Sequence, residues 1–280
     1  PAIVPDQNTD VSIGDFNYTG SDPVIDMDSH NGKCKSLTIG GLKTASLLIY
    51  DSKPQIAKTF VASGNITIRS NGTLTLGATN LQVAGNWTND GTYAEDFGSW
   101  GVNNKLPTVT FNGVTQILGG ASESTFAWLT ISSNTTLESN ISITPHVAGT
   151  SQSPYRLLVK SGVTLDAGNK LVTWTKGNTN STHFELEANA TIKVKAATYA
   201  ENFSLRPAPV TSTSIIEYAG SSNQTIDNGI TYRILKISGG GVKSLAGNTT
   251  VNNSVDVNVA TLDLLVNTQN RTGTGGVKTF

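Results

Sequence analysis

From residue 36 onward, apolar side chains fall at alternate positions in short runs: Leu37 and Ile39, Ile66 and Ile68, Leu74 and Leu76, Leu81 and Val83. A period of two sends one set of side chains to an inner face and leaves Thr, Ser or Asn on the outer face of an extended strand. The runs follow one another about every six to nine residues, separated by turn residues in the manner of an all-β chain. Gly40-Gly41 and Ser70-Asn71-Gly72 are expected to supply the positive φ angles of sharp corners. No window sustains a 3.6-residue apolar period, so little or no helix is expected.

The pattern also repeats at longer range. Residues 214–266 line up with 108–144 and 163–173. In each copy an aromatic strand ends in glycine (Phe111-Asn112-Gly113; Tyr218-Ala219-Gly220), and a Gln-led strand follows (Gln116; Gln224). An aromatic-led strand comes next (Phe126; Tyr232), and the copy closes on Leu165-Asp166 or Leu262-Asp263. Internal repetition of irregular short strands points to a solenoid or a sandwich. A sandwich needs hairpins, for which Asn71-Gly72, Asn112-Gly113 and Asp90-Gly91 are candidate turns. Three or more brief runs per repeat favour a parallel β-solenoid, a β-helix with Gly/Asn turns. The expected organisation is a lead-in with first strands over 1–35 and solenoid coils with the first repeat copy over 36–175. An irregular insertion over 176–213 and the second copy over 214–280 complete it.

Composition narrows the function. Charged residues are 14% of the chain and the net charge is -1, which leaves no electrostatic footprint for nucleic acid or an anionic membrane. No apolar run approaches the roughly 18 residues of a membrane span, and no signal-like segment precedes Pro1, so an export signal would already be gone. Cys34, the single cysteine, cannot form an internal disulfide. Asn-x-Ser/Thr occurs at Asn17, Asn65, Asn71, Asn86, Asn134, Asn140, Asn180, Asn189, Asn202, Asn223, Asn248, Asn252 and Asn270. In a glycosylating host these are candidate acceptors on exposed turns, while a chain rich in Asn, Ser and Thr also makes such tripeptides by composition.

Candidate chemistry is sparse. Asp26 and Asp28 have the first two spacings of a calcium loop, but His30 stands where the third oxygen ligand belongs, Gly32 is one place late, and no Glu follows at the twelfth position. His30, His146 and His183 lie far apart, and no nucleophile elbow, phosphate loop or dinucleotide fingerprint occurs. Asp166 and Asp263 occupy equivalent repeat positions, which keeps a carbohydrate-active β-helix enzyme as the alternative; they read more simply as outward turn residues. No enzyme activity and no cofactor are expected. Trp87, Tyr93, Phe97 and Trp100 cluster around a Gly-rich loop. Trp87 and Phe97 suit the core, whereas Tyr93 and Trp100 are the candidate ligand contacts.

The phrases GNWTNDGTY (85–93), TVTFNG, FAWLTI, GSSNQTI, SGGGVKSLAGNTTV and ATLDLLVNTQNRTGTGGV together resemble repeats of large secreted bacterial surface proteins, especially Bacteroidetes-type adhesins and filament proteins. The resemblance covers most of residues 60–280 and implies an extracellular, cell-surface β-solenoid without catalytic residues. Residues 176–209 depart from the phrase, carry more charge, and contain Pro207 and Pro209, which do not suit a central strand. The closing phrase stops as a new strand begins at Gly275-Gly276-Val277, with no cap after it. The strand at Val277, Lys278, Thr279 and Phe280 is therefore expected to be an interface through which copies associate head to tail, with surface glycans as further partners.

Overall fold

A computed structural model describes residues 5–15, 22–27, 30–51, 58–96, 107–143, 156–174, 184–207, 213–258, 260–264 and 269–271, the last three as backbone only. Among these residues there is no helix, and the paired strands run parallel throughout, so the chain is a parallel β-solenoid. One side is a twelve-stranded sheet from Val11–Ile13 to Gln269–Arg271. At ~4.8 Å between strands it is about 50 Å long. A second side is a seven-stranded sheet from Gly32–Cys34 to Phe184–Leu186. The third side is built in three pieces, of four strands (Val24–Asp26, Ala45–Tyr50, Gly72–Leu76, Thr92–Glu95), three (Ser124–Phe126, Ile141–Ile143, Val172–Trp174) and three (Gln224–Ile226, Val242–Leu245, Thr261–Asp263).

Alternation builds the core directly. On the twelve-stranded side Leu37, Ile66, Trp87, Leu118 and Leu137 lie in one column, each in register with the next. On the seven-stranded side the column is Phe60, Leu81, Val109, Leu129, Leu157 and Phe184. All of these are buried, and each contributes roughly 1.5–3 kcal/mol by leaving water. The hairpin signals turn corners instead. At Gly40, φ is +85°, and an added Cβ would lie 2.5 Å from the Asn71 Oδ1 and 2.7 Å from the Gly72 N. Gly72 itself has no positive φ; it is small because the Ile39 carbonyl oxygen would lie 2.2 Å from its Cβ. Glycine is set there by close approach of the neighbouring coil rather than by a left-handed backbone.

The two repeat copies sit on different sides of the coil. Thr108–Phe111 belongs to the seven-stranded sheet and Thr115–Gly119 to the twelve-stranded one, whereas Ile215–Tyr218 belongs to the twelve-stranded sheet and Gln224–Ile226 to the third side. Among the described residues Phe184–Leu186 is the last strand of the seven-stranded sheet, and the described coils that follow have two strand-bearing sides. Their long strands Thr231–Ile237 and Thr249–Val257 pair with a register shift between Tyr232 and Ile234, so a bulge replaces a corner.

The stretch expected as an insertion contains this transition. Within it, Phe184–Leu186 and Thr191–Val194 are regular strands in register with Leu157–Val159 and Thr164–Asp166. Among its described residues the irregular part is 195–207, tied to its neighbours by single bridges from Phe203 to Val172 and from Thr198 to Thr225.

Candidate functional site

Three inward polar side chains, Gln116, Gln224 and Lys243, hold corners. Gln116 Nε2 donates to the carbonyls of Val83 (2.9 Å) and Gly85, and its Oε1 accepts from Gly113 N (2.8 Å). Gln224 repeats the arrangement with Val194 O (3.0 Å), Ala196 O (2.6 Å) and Gly220 N (2.9 Å). Lys243, stacked on Gln224, sends its ammonium to Gly220 O (2.8 Å), Ser222 O (2.8 Å) and Gly240 O (2.6 Å), while burial draws its pKa below the usual lysine value. The Gln of the second strand in each copy is therefore a staple for carbonyls that a turning chain would otherwise leave unpaired.

Several sequence-derived sites land elsewhere than expected. Tyr93, a candidate ligand contact, is buried; its ring packs at 4.9 Å on Trp87 and 5.2 Å on Phe126 because its strand position faces inward. Asn202, a candidate glycan acceptor, is 0% exposed. Its Nδ2 donates to Gly168 O and Lys170 O and its Oδ1 accepts from Lys195 N and Ala196 N, so no atom of the amide faces water.

Asn65, Asn134, Asn140, Asn189, Asn223 and Asn248 are exposed, and Asn71, Asn86 and Asn252 are half-buried. Asp26 accepts a hydrogen bond from the Tyr50 hydroxyl (3.1 Å), and no group of three metal-ligating side chains occurs among the described residues. Asp166 lies on the twelve-stranded sheet, paired with Lys195 at 2.7 Å, and Asp263 lies in the last piece of the third side, so the fold does not bring them together. Asn17, Asp28, Trp100, Asn180 and Val277 to Phe280 fall outside the described residues, and Asn270 is described only as backbone.

Outer faces carry what remains for partners, and they divide along the axis. On the seven-stranded sheet the outward columns run through Asn80, Thr108, Trp128 and, beside them, Gln82, Thr110, Thr130, an uncharged stretch two strands beyond the exposed Lys33. Charge resumes at Arg156, whose guanidinium lies 5.4 Å from the centroid of the Trp128 ring and pairs with Glu185. Farther along, the twelve-stranded sheet stacks Asp166, Lys193, Glu217, Lys236 and Asp256 in one column. Signs alternate at each step, which avoids like charges meeting at strand spacing. Lys236 reaches Glu217 at 3.3 Å. Trp128 was missed among the candidates, although Leu129 and Ile131 facing inward mark it as outward.

A half-buried carboxylate marks a break in the third side. The Thr92–Glu95 strand ends the four-stranded piece, and Ser124–Phe126 begins another sheet. Glu95 spans the gap: its Oε1 accepts from the Tyr93 hydroxyl (2.6 Å) and its Oε2 from Ala127 N (2.7 Å). Burial pushes its pKa up to about 8, against the partial opposing pull of these two donors. The folded chain thus keeps a proton that the unfolded chain releases near the ordinary value of 4.5. Since the folded state binds more protons in that window, stability should fall as pH rises from about 4.5 to 8, by at most about 1.4 kcal/mol per unit, and level off above. Glu95→Gln should flatten this dependence and raise the melting temperature at pH 9; an unchanged slope in a melting series from pH 4.5 to 9 would count against it.

No family model matches the chain, and neither a curated protein nor a solved structure does.

Proposed function

We propose that the chain is a non-enzymatic structural and adhesive segment of an extracellular surface assembly, of the Bacteroidetes-type adhesin or filament kind that its repeat phrases resemble, and that copies associate head to tail. The observation that carries this reading is the stack itself, a twelve-stranded parallel ladder in which inward polar groups are spent on holding neighbouring coils. Its outermost described coils support continuation: Val11, Ile13 and Ile25 at one end and Val255, Val257 and Leu262 at the other are only partly covered. Partly covered apolar residues and strand edges favour pairing with further β-structure. The uncharged columns beside Trp128 are the surface nominated for surface glycans, since Thr, Asn and Gln both donate and accept hydrogen bonds or offer both groups on one side chain.

Deleting 275–280 tests the junction. Soluble monomers in sedimentation, with no fibres in negative-stain micrographs, are the expected result; fibres of normal length would refute a terminal-strand junction. A screen of neutral and acidic polysaccharides for reducing ends or unsaturated products, lost on replacing Asp166, would instead establish the enzyme reading.

A further inference from the structure

Five of the Asn-x-Ser/Thr tripeptides share one geometry. Asn65 Oδ1 accepts from Asn86 N (2.8 Å), Asn86 Oδ1 from Ile117 N (2.9 Å), and Asn134 Oδ1 from Thr164 N (2.9 Å). Asn140 Oδ1 accepts from Leu171 N (3.0 Å) and Asn223 Oδ1 from Val242 N (2.8 Å). In all five the donor is the residue stacked directly on the asparagine in the next coil. The registers Ile66↔Trp87, Trp87↔Leu118, Thr135↔Leu165, Ile141↔Val172 and Gln224↔Lys243, each one residue on, establish this. The bond is reciprocated: Ile66 N donates to Asn86 O (2.9 Å), and Ile141 N to Leu171 O (3.1 Å).

We infer that these asparagines are register clasps, in which the side-chain carbonyl stands in for a backbone carbonyl turned away at the corner and holds one end of a strand to the residue stacked on it in the next coil. Two residues outside the tripeptide pattern argue for the clasp independently. Asn31, followed by Gly32 and Lys33, accepts from Thr59 N at 3.0 Å, one position before the register Gly32↔Phe60. Asp90 accepts from Ala121 N at 2.8 Å, two positions after the register Thr88↔Gly119. A carboxylate does the same work as an amide, so the acceptor oxygen matters and the amide nitrogen does not.

The tripeptide then follows from strand geometry. After a corner asparagine the next residue faces inward (Ile66, Trp87, Thr135, Ile141, Gln224, all buried), and in Thr67, Thr88, Thr136 and Thr225 the one after it faces outward, where β-branched Thr is favoured. The clasps join residues from 19 to 31 positions apart, so each coil finds its partner although coil lengths differ. A slip of one residue would turn every inward side chain of a strand outward.

The test is amide hydrogen exchange at the receiving residue, read in the whole chain. Asn65→Ala should speed exchange of the Asn86 amide at least tenfold with distant amides unchanged, and Asn140→Ala should do the same at Leu171. Asn65→Asp and Asn140→Asp should stay within about twofold of the parent, whereas Asn65→Gln, with its oxygen one methylene too far, should behave like alanine. Unchanged exchange in the alanine variants would overturn the clasp. So would material from the native source that carries a glycan at Asn65 or Asn140, if the aspartate variant loses the glycan and exchanges as freely as the alanine variant.

Discussion

Replacing Trp87 with alanine should destabilise the solenoid by about 3–5 kcal/mol, the range for emptying a buried aromatic site. Trp87 is 0% exposed and in register with Ile66 below and Leu118 above. Its ring meets Tyr93 at 4.9 Å, Phe126 at 5.8 Å and Phe111 at 6.2 Å, so it touches aromatic residues of all the neighbouring sides. Its Nε1 also donates to Ser124 Oγ at 3.0 Å. A coil cannot collapse into such a hole without breaking register with two neighbours, which places the expected cost high in the range. Urea unfolding followed by fluorescence of the remaining tryptophans measures it; a loss under 1 kcal/mol would show that Trp87 does not hold this section of the core.

Lys243→Met should cost about 3 kcal/mol for a different reason. Methionine keeps much of the apolar stem but removes the donor from three carbonyls, at Gly220, Ser222 and Gly240, and buried acceptors left unpaired are the larger part of such losses. Lys243→Gln should recover part of the stability, because Gln224 one coil below spans two carbonyls of its own corner with the same amide. Chemical denaturation of the two variants side by side gives the comparison. Equal losses would mean that stem packing rather than the carbonyl contacts makes Lys243 indispensable.

Much of the fold was legible because alternation reports directly which side chains face inward. Leu37, Ile39, Ile66, Ile68, Leu74, Leu76, Leu81 and Val83 are all buried as the period of two requires. Alternation is silent on which side of a coil a strand occupies. Phe111 and Tyr218 therefore looked equivalent, though one closes a strand of the seven-stranded sheet and the other a strand of the twelve-stranded sheet. The phrase repeats because corner staples repeat, and Gln116 and Gln224 perform the same task on different sides.

Site residues were harder to read. Asn202 matches the acceptor tripeptide as well as Asn65 does, and only its place inside the 195–207 turn shows that both ends of its amide are engaged. Tyr93 sits in a loop-rich stretch with Trp87, but it belongs to the Thr92–Glu95 strand and its parity points it into the core. Lys243 lies two residues after Gly241 and faces inward with Leu245, and its long aliphatic stem carries the ammonium to the corner carbonyls from inside.

Among the described residues the seven-stranded sheet ends at Phe184–Leu186, and that gives the described stack a mechanical polarity. A pull along the solenoid axis loads the ladders between successive coils in series. In the first section that tension is shared by three walls of hydrogen bonds around a packed core, and in the described coils of the second by two walls, one of which carries a bulge between Thr231–Ile237 and Thr249–Val257. Walls that share a load in parallel lower the force on each bond, so the slender section is the one that yields first. A tether assembled from such units would give way in the same place in every unit, stretching by small repeated increments before any wide section opens.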